Sequence, residues 1–575
     1  MSSALRSSLY PQITPIDLRH LCNLWMVWLF AVVVVTAQTP APATRSGTIT
    51  GRVVNESGQP LANASVMLYP IGFMQQPHNG TVTDRDGKFQ LSGLEARSYR
   101  VTAWLSSYAP FISPTIYRSG DSINVTLRKG GVITGTVASQ TGEPIVGVRV
   151  HARMIRGDIQ LAVPFSMVPL ERTTDDRGVY RLYGLRAGTY LVWAGGGGGG
   201  YSSDIDAFDE FVPTYSPAST RDTATEITVH AGEEVSNVDI SFRGEPGHVI
   251  SGKVTQSGGA QPFGFFLNLT AIGKNKADWT TPQPDDGRGF VFRGIDDGDY
   301  DLTAVTWSTD GLGGAMATRR IKISGTDVTG IQLTVAPLAT VSGRIALEES
   351  NKSECPGKER PSFSEMLVSA SRNESQSSNH NPLLDFVLKG PAAVDANGNV
   401  SVKNLPPGRY FFMPEFAAKY WYLQSITLPA VTPPAGAKPV DATRTWTTLK
   451  SGDRISGLTI TLAQGAASLS GQVGDNVPPD LFLYLIPSEK ERADDALRFF
   501  GVAIGADGKV ALSSIPPGSY WVLVKSTAEG APTAKLRMPD QKELRASLRR
   551  EAEAAKTAID LKPCQHLTNF PFKLN

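Results

Sequence analysis

Ile49-Thr50-Gly51-Arg52-Val53 returns four more times along the chain, as Ile133-Thr134-Gly135-Thr136-Val137, Ile250-Ser251-Gly252-Lys253-Val254, Val341-Ser342-Gly343-Arg344-Ile345 and Leu469-Ser470-Gly471-Gln472-Val473. Each copy opens a unit of the same internal order. A turn rich in Asp and Gly follows, clearest in Thr83-Asp84-Arg85-Asp86-Gly87-Lys88-Phe89 and Thr174-Asp175-Asp176-Arg177-Gly178-Val179-Tyr180, looser around Asp286-Gly287, Asp395-Ala396-Asn397-Gly398 and Asp507-Gly508. A closing strand then begins at Tyr99, Tyr190, Tyr300, Tyr410 or Tyr520, and in four of the five a glycine stands two residues earlier. Ile49, Gly51 and Val53 fall on one face of the opening phrase and Thr50, Arg52 and Val54 on the other, the period of two of a half-buried strand. Fixed order with spacings near a hundred residues describes tandem domains of one type, because that spacing is too long for a solenoid repeat.

Working outward, Ala64 to Tyr69 and Gly142 to Val150 alternate again after short polar turns. Gly87 and Gly178 sit where a tight turn needs positive φ, and Phe89, Leu91, Leu94 or Tyr180, Leu182, Leu185 supply the inward stripe of the next strand. Most units end in one more clean strand, such as Ile123-Asn124-Val125-Thr126-Leu127 or Leu458-Thr459-Ile460-Thr461-Leu462. Short strands joined by Gly, Pro and Asp turns predict an all-β chain, a tandem array of about five antiparallel Ig-like or prealbumin-like β-sandwiches. The expected units are 47–128, 131–243, 247–336, 339–463 and 466–527. Connectors of a few residues restrict hinge motion, so the array reads as a semi-rigid rod.

The totals agree. A chain of 575 residues exceeds one core, and 56 glycines and 39 prolines suit many turns. Lys plus Arg number 55 against 54 for Asp plus Glu, leaving no basic excess to neutralise a phosphate backbone, so nucleic acid is not an expected partner. At the N-terminus Arg6 and Arg19 precede an apolar run from Leu24 to Val35, and Val35-Thr36-Ala37 offers small residues for cleavage before Gln38. Residues 1–37 therefore read as a secretory signal and 38–46 as a linker, the rival being an uncleaved anchor that would give the only membrane contact. The expected location is outside the cytoplasm: periplasm, cell surface or extracellular. Cys355 and Cys564 are far apart in sequence; export permits a disulfide, and free thiols are the alternative.

The succession hydrophobic-Thr-Gly-x-Val, Gly-x-Pro-hydrophobic, Thr-Asp-x-x-Gly-x-Phe/Tyr and Gly-x-Tyr resembles the carboxypeptidase regulatory-like domain, a transthyretin-like sandwich also grouped with carbohydrate-binding-like folds. The resemblance runs from about Thr48 to Ser526. Units one and two match well, while units four and five keep the opening phrase, the Asp-Gly turn and Pro-Pro-Gly-x-Tyr. It implies an exported bacterial protein in which the accessory domain occurs without its catalytic partner.

The residues themselves refuse catalysis. Zinc peptidases need His and Glu three apart plus a distant His; the seven histidines stand singly, and the one with Glu three residues later, His230 before Glu233, lies in the glycine-charged turn Gly232-Glu233-Glu234 rather than on a helical pattern. No Gly-x-Ser-x-Gly elbow or phosphate-cradling loop appears. The Asp-rich turns read as hairpin turns rather than calcium loops, since the completing glutamate is missing. No cofactor and no metal site is expected. Parity offers one ligand hypothesis: counted from the leading tyrosines, Trp104, Trp193, Trp307 and Trp521 fall on the outer face, where flat rings stack on sugars or make domain contacts. The alternative is that strands twist or loops cover them. Gly195 to Gly200, followed by the acidic and aromatic stretch Tyr201 to Tyr215, reads as a binding lid or a tolerated insertion. Insertions at 348–361 and 429–447 read as surface loops.

The tail, 528–575, changes register. Asp540 with Glu543 reads as a capping box, and Leu544, Leu548, Ala552, Ala555 and Ile559 at helical spacing predict an amphipathic helix over 540–559. Unit five lacks the final strand, so the tail is expected to cover the edge left open. Together these readings give a non-catalytic exported binding or adhesion scaffold with a polysaccharide or surface protein as partner. The alternative is a structural spacer or periplasmic assembly protein.

Overall fold

The computed structural model describes residues 47–572 apart from 71–78, 96–97, 114–115, 158–170, 197–206, 257–264, 274–277, 282–288, 308–312, 351–354, 356–359, 374–389, 417, 430–438, 475–480, 505–507 and 527–530. The signal segment, the linker to residue 46, most of the glycine run and the turn around Asp286 lie outside them. The rest is a tandem set of β-sandwiches, each with its own apolar core.

In the first sandwich the opening strand Gly47–Asn55 is central in one sheet, flanked by Lys88–Leu94 and Ser122–Leu127; the facing sheet centres on Ser65–Pro70 and Ser98–Trp104. Ile49, Val53, Phe89, Leu91, Tyr99, Val101 and Val125 fill the space between, as the alternation predicts. In each unit the last strand departs from the antiparallel rule and runs parallel to the opening strand, as with Ser122–Leu127 beside Gly47–Asn55 and Arg454–Gln464 beside Ala339–Glu348. This pairing explains the glycine of the opening phrase. A Cβ on Gly51, Gly135, Gly252, Gly343 or Gly471 would overlap the carbonyl oxygen of Ile123, Val238, Ile331, Leu458 or Phe570 on that parallel neighbour. Only a residue without a side chain admits so close a backbone approach.

The other repeated letters also have structural tasks. Each leading tyrosine is buried and its hydroxyl donates to the carbonyl four residues upstream: Tyr99 to Glu95 (3.1 Å), Tyr190 to Arg186 (2.8 Å), Tyr300 to Asp296 (2.8 Å), Tyr410 to Pro406 (2.8 Å) and Tyr520 to Pro516 (2.7 Å). The ring is a core residue and the hydroxyl pins the chain's entry into the strand, the device known as a tyrosine corner. In the turns, Asp84 Oδ1 accepts from the N–H groups of Asp86 (2.9 Å) and Lys88 (2.8 Å), and Asp175 and Asp395 do the same two and four residues on. The preceding threonine is buried and ties this turn to the second strand: Thr174 Oγ1 donates to Ile145 O (2.7 Å) and accepts from Val148 N (3.1 Å). The Asp-Gly phrase is a hydrogen-bonded hairpin turn.

The tail corrects two readings. The helix runs Lys542–Ala555, not 540–559; Pro539–Gln541 is a separate 3₁₀ turn and no side chain caps the helix, so Asp540 and Glu543 form no capping box. Lys556 takes a left-handed conformation (φ 54°) and stops the helix, and Ile559 belongs to a strand, Ala558–Leu561, that pairs with Gly518–Ser526. The following strand, His566–Phe572, runs parallel to Ala467–Val473. The tail does more than cover the open edge: it supplies the missing last strand, and Ile559, Leu561 and Phe572 enter the fifth core. The helix packs Leu548 and Ala552 onto the outer face of that sandwich against Tyr484, Ile486 and Leu523.

Neighbouring sandwiches touch through short joints. Arg186 donates to Pro110 O (3.0 Å), Arg293 pairs with Glu210 (3.1 Å), and Asn404 Oδ1 accepts from Gly314 N (2.6 Å). The fourth and fifth are bound most firmly. Leu497, from the fifth, is buried in the core of the fourth, and Cys355 and Cys564 are joined in a disulfide with Cα atoms 5.3 Å apart, which settles the two alternatives left open by their spacing. One contact breaks the linear order expected of a rod: Ser98 Oγ donates to Glu365 O (3.3 Å) and Arg118 pairs with Glu365 (3.4 Å), linking the first sandwich to the fourth.

Candidate functional site

The tryptophans were singled out by parity, and the parity holds where it is visible: Tyr99, Val101 and Ala103 lie in the core, and so do Tyr190, Val192 and Ala194, which puts Trp104 and Trp193 on the outer faces. Among the described residues, Trp104, Trp193 and Trp521 belong to three different sandwiches. Their surroundings differ. Trp521 is covered: the Arg549 guanidinium lies 4.9 Å from its ring, and Arg549 also donates to Pro487 O and Ser488 O. The tail helix therefore occupies the face on which a sugar would stack. Trp104 is half-buried, with its indole nitrogen enclosed and without a hydrogen-bond partner among the described residues. The side chain of Trp307 lies outside the described residues.

Trp193 has the most built environment. Cross-strand register sets it opposite His151 on one side and Tyr215 on the other. The three rings form a row: His151 stacks on Trp193 at 5.1 Å and 15° between planes, and Tyr215 meets it at 5.3 Å and 32°. Such centroid distances are those of attractive aromatic pairs. His151 and Tyr215 are buried while Trp193 keeps part of its surface. Burial, with the nearby Arg149 charge as a smaller cause, lowers the His151 imidazole to about 3, and burial pushes the Tyr215 hydroxyl up to about 12. Both rings are therefore neutral at physiological pH. The Arg149 guanidinium holds both carboxylate oxygens of Asp209 at 2.9 Å, anchoring the returning end of the loop that the glycine run begins. Gly195 and Gly196 adopt positive φ, and Gly196 N donates to Phe208 O.

Sequence reasoning marked Tyr215 only as the end of an aromatic loop and His151 only as an isolated histidine. Nothing in the local sequence announces that they flank Trp193, because the register of three strands brings them together. It also gave no sign of a cleft of about 390 Å³ between the fourth and fifth sandwiches. Asp441, Arg444, Glu491, Arg492 and Asp495 line it, and its charges are largely spent on each other: Arg444 pairs with Asp441 (3.2 Å) and Arg492 with Asp495 (3.5 Å). Among the described residues, no group of three or more His, Cys, Asp or Glu is placed to hold a metal ion.

Residues 48–128 match the family described as the carboxypeptidase regulatory-like domain, so the first sandwich is a domain of that type and the four behind it repeat its strand plan. No curated protein matches the chain. Similar solved structures include GBS52, the minor pilin of Streptococcus agalactiae, at 13% identity over 34% of this chain and 96% of that one, with a TM-score of 0.19. The Bacillus anthracis TIE protein is 13% identical over 74% of this chain and 76% of that one, with a TM-score of 0.14. The shaft pilin SpaA of Lactobacillus rhamnosus GG is 10% identical over 34% of this chain and 98% of that one, with a TM-score of 0.16.

Proposed function

We propose that the protein is an exported, non-catalytic scaffold of tandem sandwiches that recognises a polysaccharide or surface protein through the Trp193 face of the second sandwich. The observation that carries this reading is the row His151, Trp193, Tyr215. It holds one partly exposed indole between two buried rings on three paired strands. Rigid aromatic surface of this kind suits sugar rings because stacking needs orientation more than polar contacts. Export is supported by the N-terminal segment and by the Cys355–Cys564 disulfide, a bond that persists in oxidising compartments.

The spacer reading has its own support. Trp521 is spent on the tail, and the repeated residues serve folding. Retention of the mature protein on polysaccharide gels, with a glycan and peptidoglycan screen, separates the two. Sugar recognition expects Trp193→Ala to abolish retention and Trp104→Ala to leave it largely unchanged. Retention that is absent in the parent, or unaltered in both variants, removes the sugar hypothesis and leaves the spacer.

A further inference from the structure

The last strand of the fifth sandwich is reached by way of an α-helix, which the other four lack among the described residues. In each of the first four it precedes the next sandwich directly. In the fifth the chain first leaves Gly518–Ser526, forms the helix Lys542–Ala555 on the outer face, adds Ala558–Leu561 to one sheet, and only then crosses to the other as His566–Phe572. The apolar hold of this last strand is modest, with Phe572 buried and Leu567 and Phe570 partly so. Cys564 stands in the crossing turn, two residues before the strand, with φ 60° and its N–H donating to Gly465 O at the joint between sandwiches. Its sulfur is bonded to Cys355, buried in the insertion of the fourth sandwich, across a sequence separation of 209.

We propose that this disulfide is a redox clasp on the tail: it fixes where the last strand returns, and its reduction releases that strand while the first three sandwiches remain folded. Closure transfers two electrons. The Cys564 thiolate, in the half-exposed turn, attacks the disulfide of an oxidant, a thiol–disulfide oxidase or oxidised glutathione, and expels one thiolate from it. The Cys355 thiolate then attacks the Cys564 sulfur, forming the bridge and expelling the second thiolate. The two cysteines lose two protons and two electrons in all, and the oxidant leaves reduced to two thiols, on one protein for the oxidase or as two molecules of glutathione.

Hydrogen exchange on the full-length protein tests this, with reduction verified by maleimide mass labelling. Reduction is expected to raise amide exchange in His566–Phe572 at least tenfold and to leave Ser122–Leu127, the equivalent strand of the first sandwich, unchanged. Cys355→Ala combined with Cys564→Ala is expected to reproduce the reduced pattern; the reduced parent supplies the same readout if that variant fails to fold. Oxidised glutathione added to the reduced protein is expected to be trapped on Cys564. Unchanged exchange in His566–Phe572 after full reduction, an equal rise in Ser122–Leu127, or glutathione trapped on Cys355 instead would overturn the proposal.

Discussion

Gly343 shows how a single missing side chain fixes a topology. The carbonyl of Leu458 occupies the space of its Cβ, and neither backbone can move without disturbing the parallel pair. Gly343→Ala is therefore expected to destabilise the fourth sandwich by about 3 kcal/mol, measured by denaturant unfolding, whereas Gly58→Ala, with open space around it, costs only the strain of its positive φ. Tyr410→Phe keeps the buried ring and deletes the hydroxyl bond to Pro406 O, leaving a buried carbonyl unpaired, and about 1 kcal/mol is the expected loss. A third repeated position was not legible in the sequence. Gly93, Gly184 and Gly294 have positive φ just before the last residue of their strands, and Asn404 (φ 60°) and Ser514 (φ 55°) occupy the same place in the fourth and fifth units. The conformation is retained while the residue type changes, so a pattern of letters misses it. Ser514→Gly is expected to raise stability by about 1 kcal/mol, since the left-handed conformation strains a residue with a Cβ. Asn404→Gly lacks that gain, because its side chain also accepts the Gly314 N–H across a joint.

At the scale of elements, strand identity was readable because alternation and turn chemistry are local properties. The partner of the opening strand was not. A parallel last strand and a helix ended by left-handed Lys556 depend on where the chain returns, and the tail strand was hidden behind that helix. The candidate site was legible to the same extent: parity put Trp193 outside, but its neighbours come from register. That register has a consequence in acid. His151 titrates near 6.5 when unfolded and near 3 in the fold, so between those values the unfolded chain binds a proton that the folded chain refuses. Stability of the second sandwich is expected to fall as pH drops below 6.5, by up to about 1.4 kcal/mol per pH unit, and to be unaffected by His151 above it. His151→Phe, which keeps a ring against Trp193, is expected to flatten the slope between about pH 6 and about pH 4.5 in denaturation curves. A slope equal to that of the parent would place the acid sensitivity elsewhere.

Across the whole described chain, contacts of two strengths join the sandwiches, and they predict different behaviour. Between the fourth and fifth, Leu497 is 4% exposed within the neighbouring core, and truncating a side chain so placed costs about 2–4 kcal/mol. Leu497→Ala should therefore uncouple the unfolding of these two sandwiches, seen as two calorimetric transitions where the parent shows one. Between the first and fourth the contact is polar. Arg118 and Glu365 are 25% and 37% exposed at 3.4 Å, and a pair so wet contributes less than about 1 kcal/mol. Arg100, on the same outer face as Ser98, feels a further attraction from Glu415, although burial is the larger influence and lowers its pKa. No sequence pattern marked this contact because polar residues on an outer face look like any solvated surface. Glu365→Ala removes one weak pair and is expected to change little. Glu365→Arg places a second guanidinium beside Arg118 and is expected to separate the first sandwich from the fourth without altering either core. Spin labels on the exposed residues Thr50 and Lys450 read the outcome: a broadened, longer distance distribution in Glu365→Arg with unchanged unfolding midpoints supports a contact held by these polar groups. A distance distribution identical to the parent's at both low and high salt would mean that something other than the Glu365 pair holds the first sandwich in place.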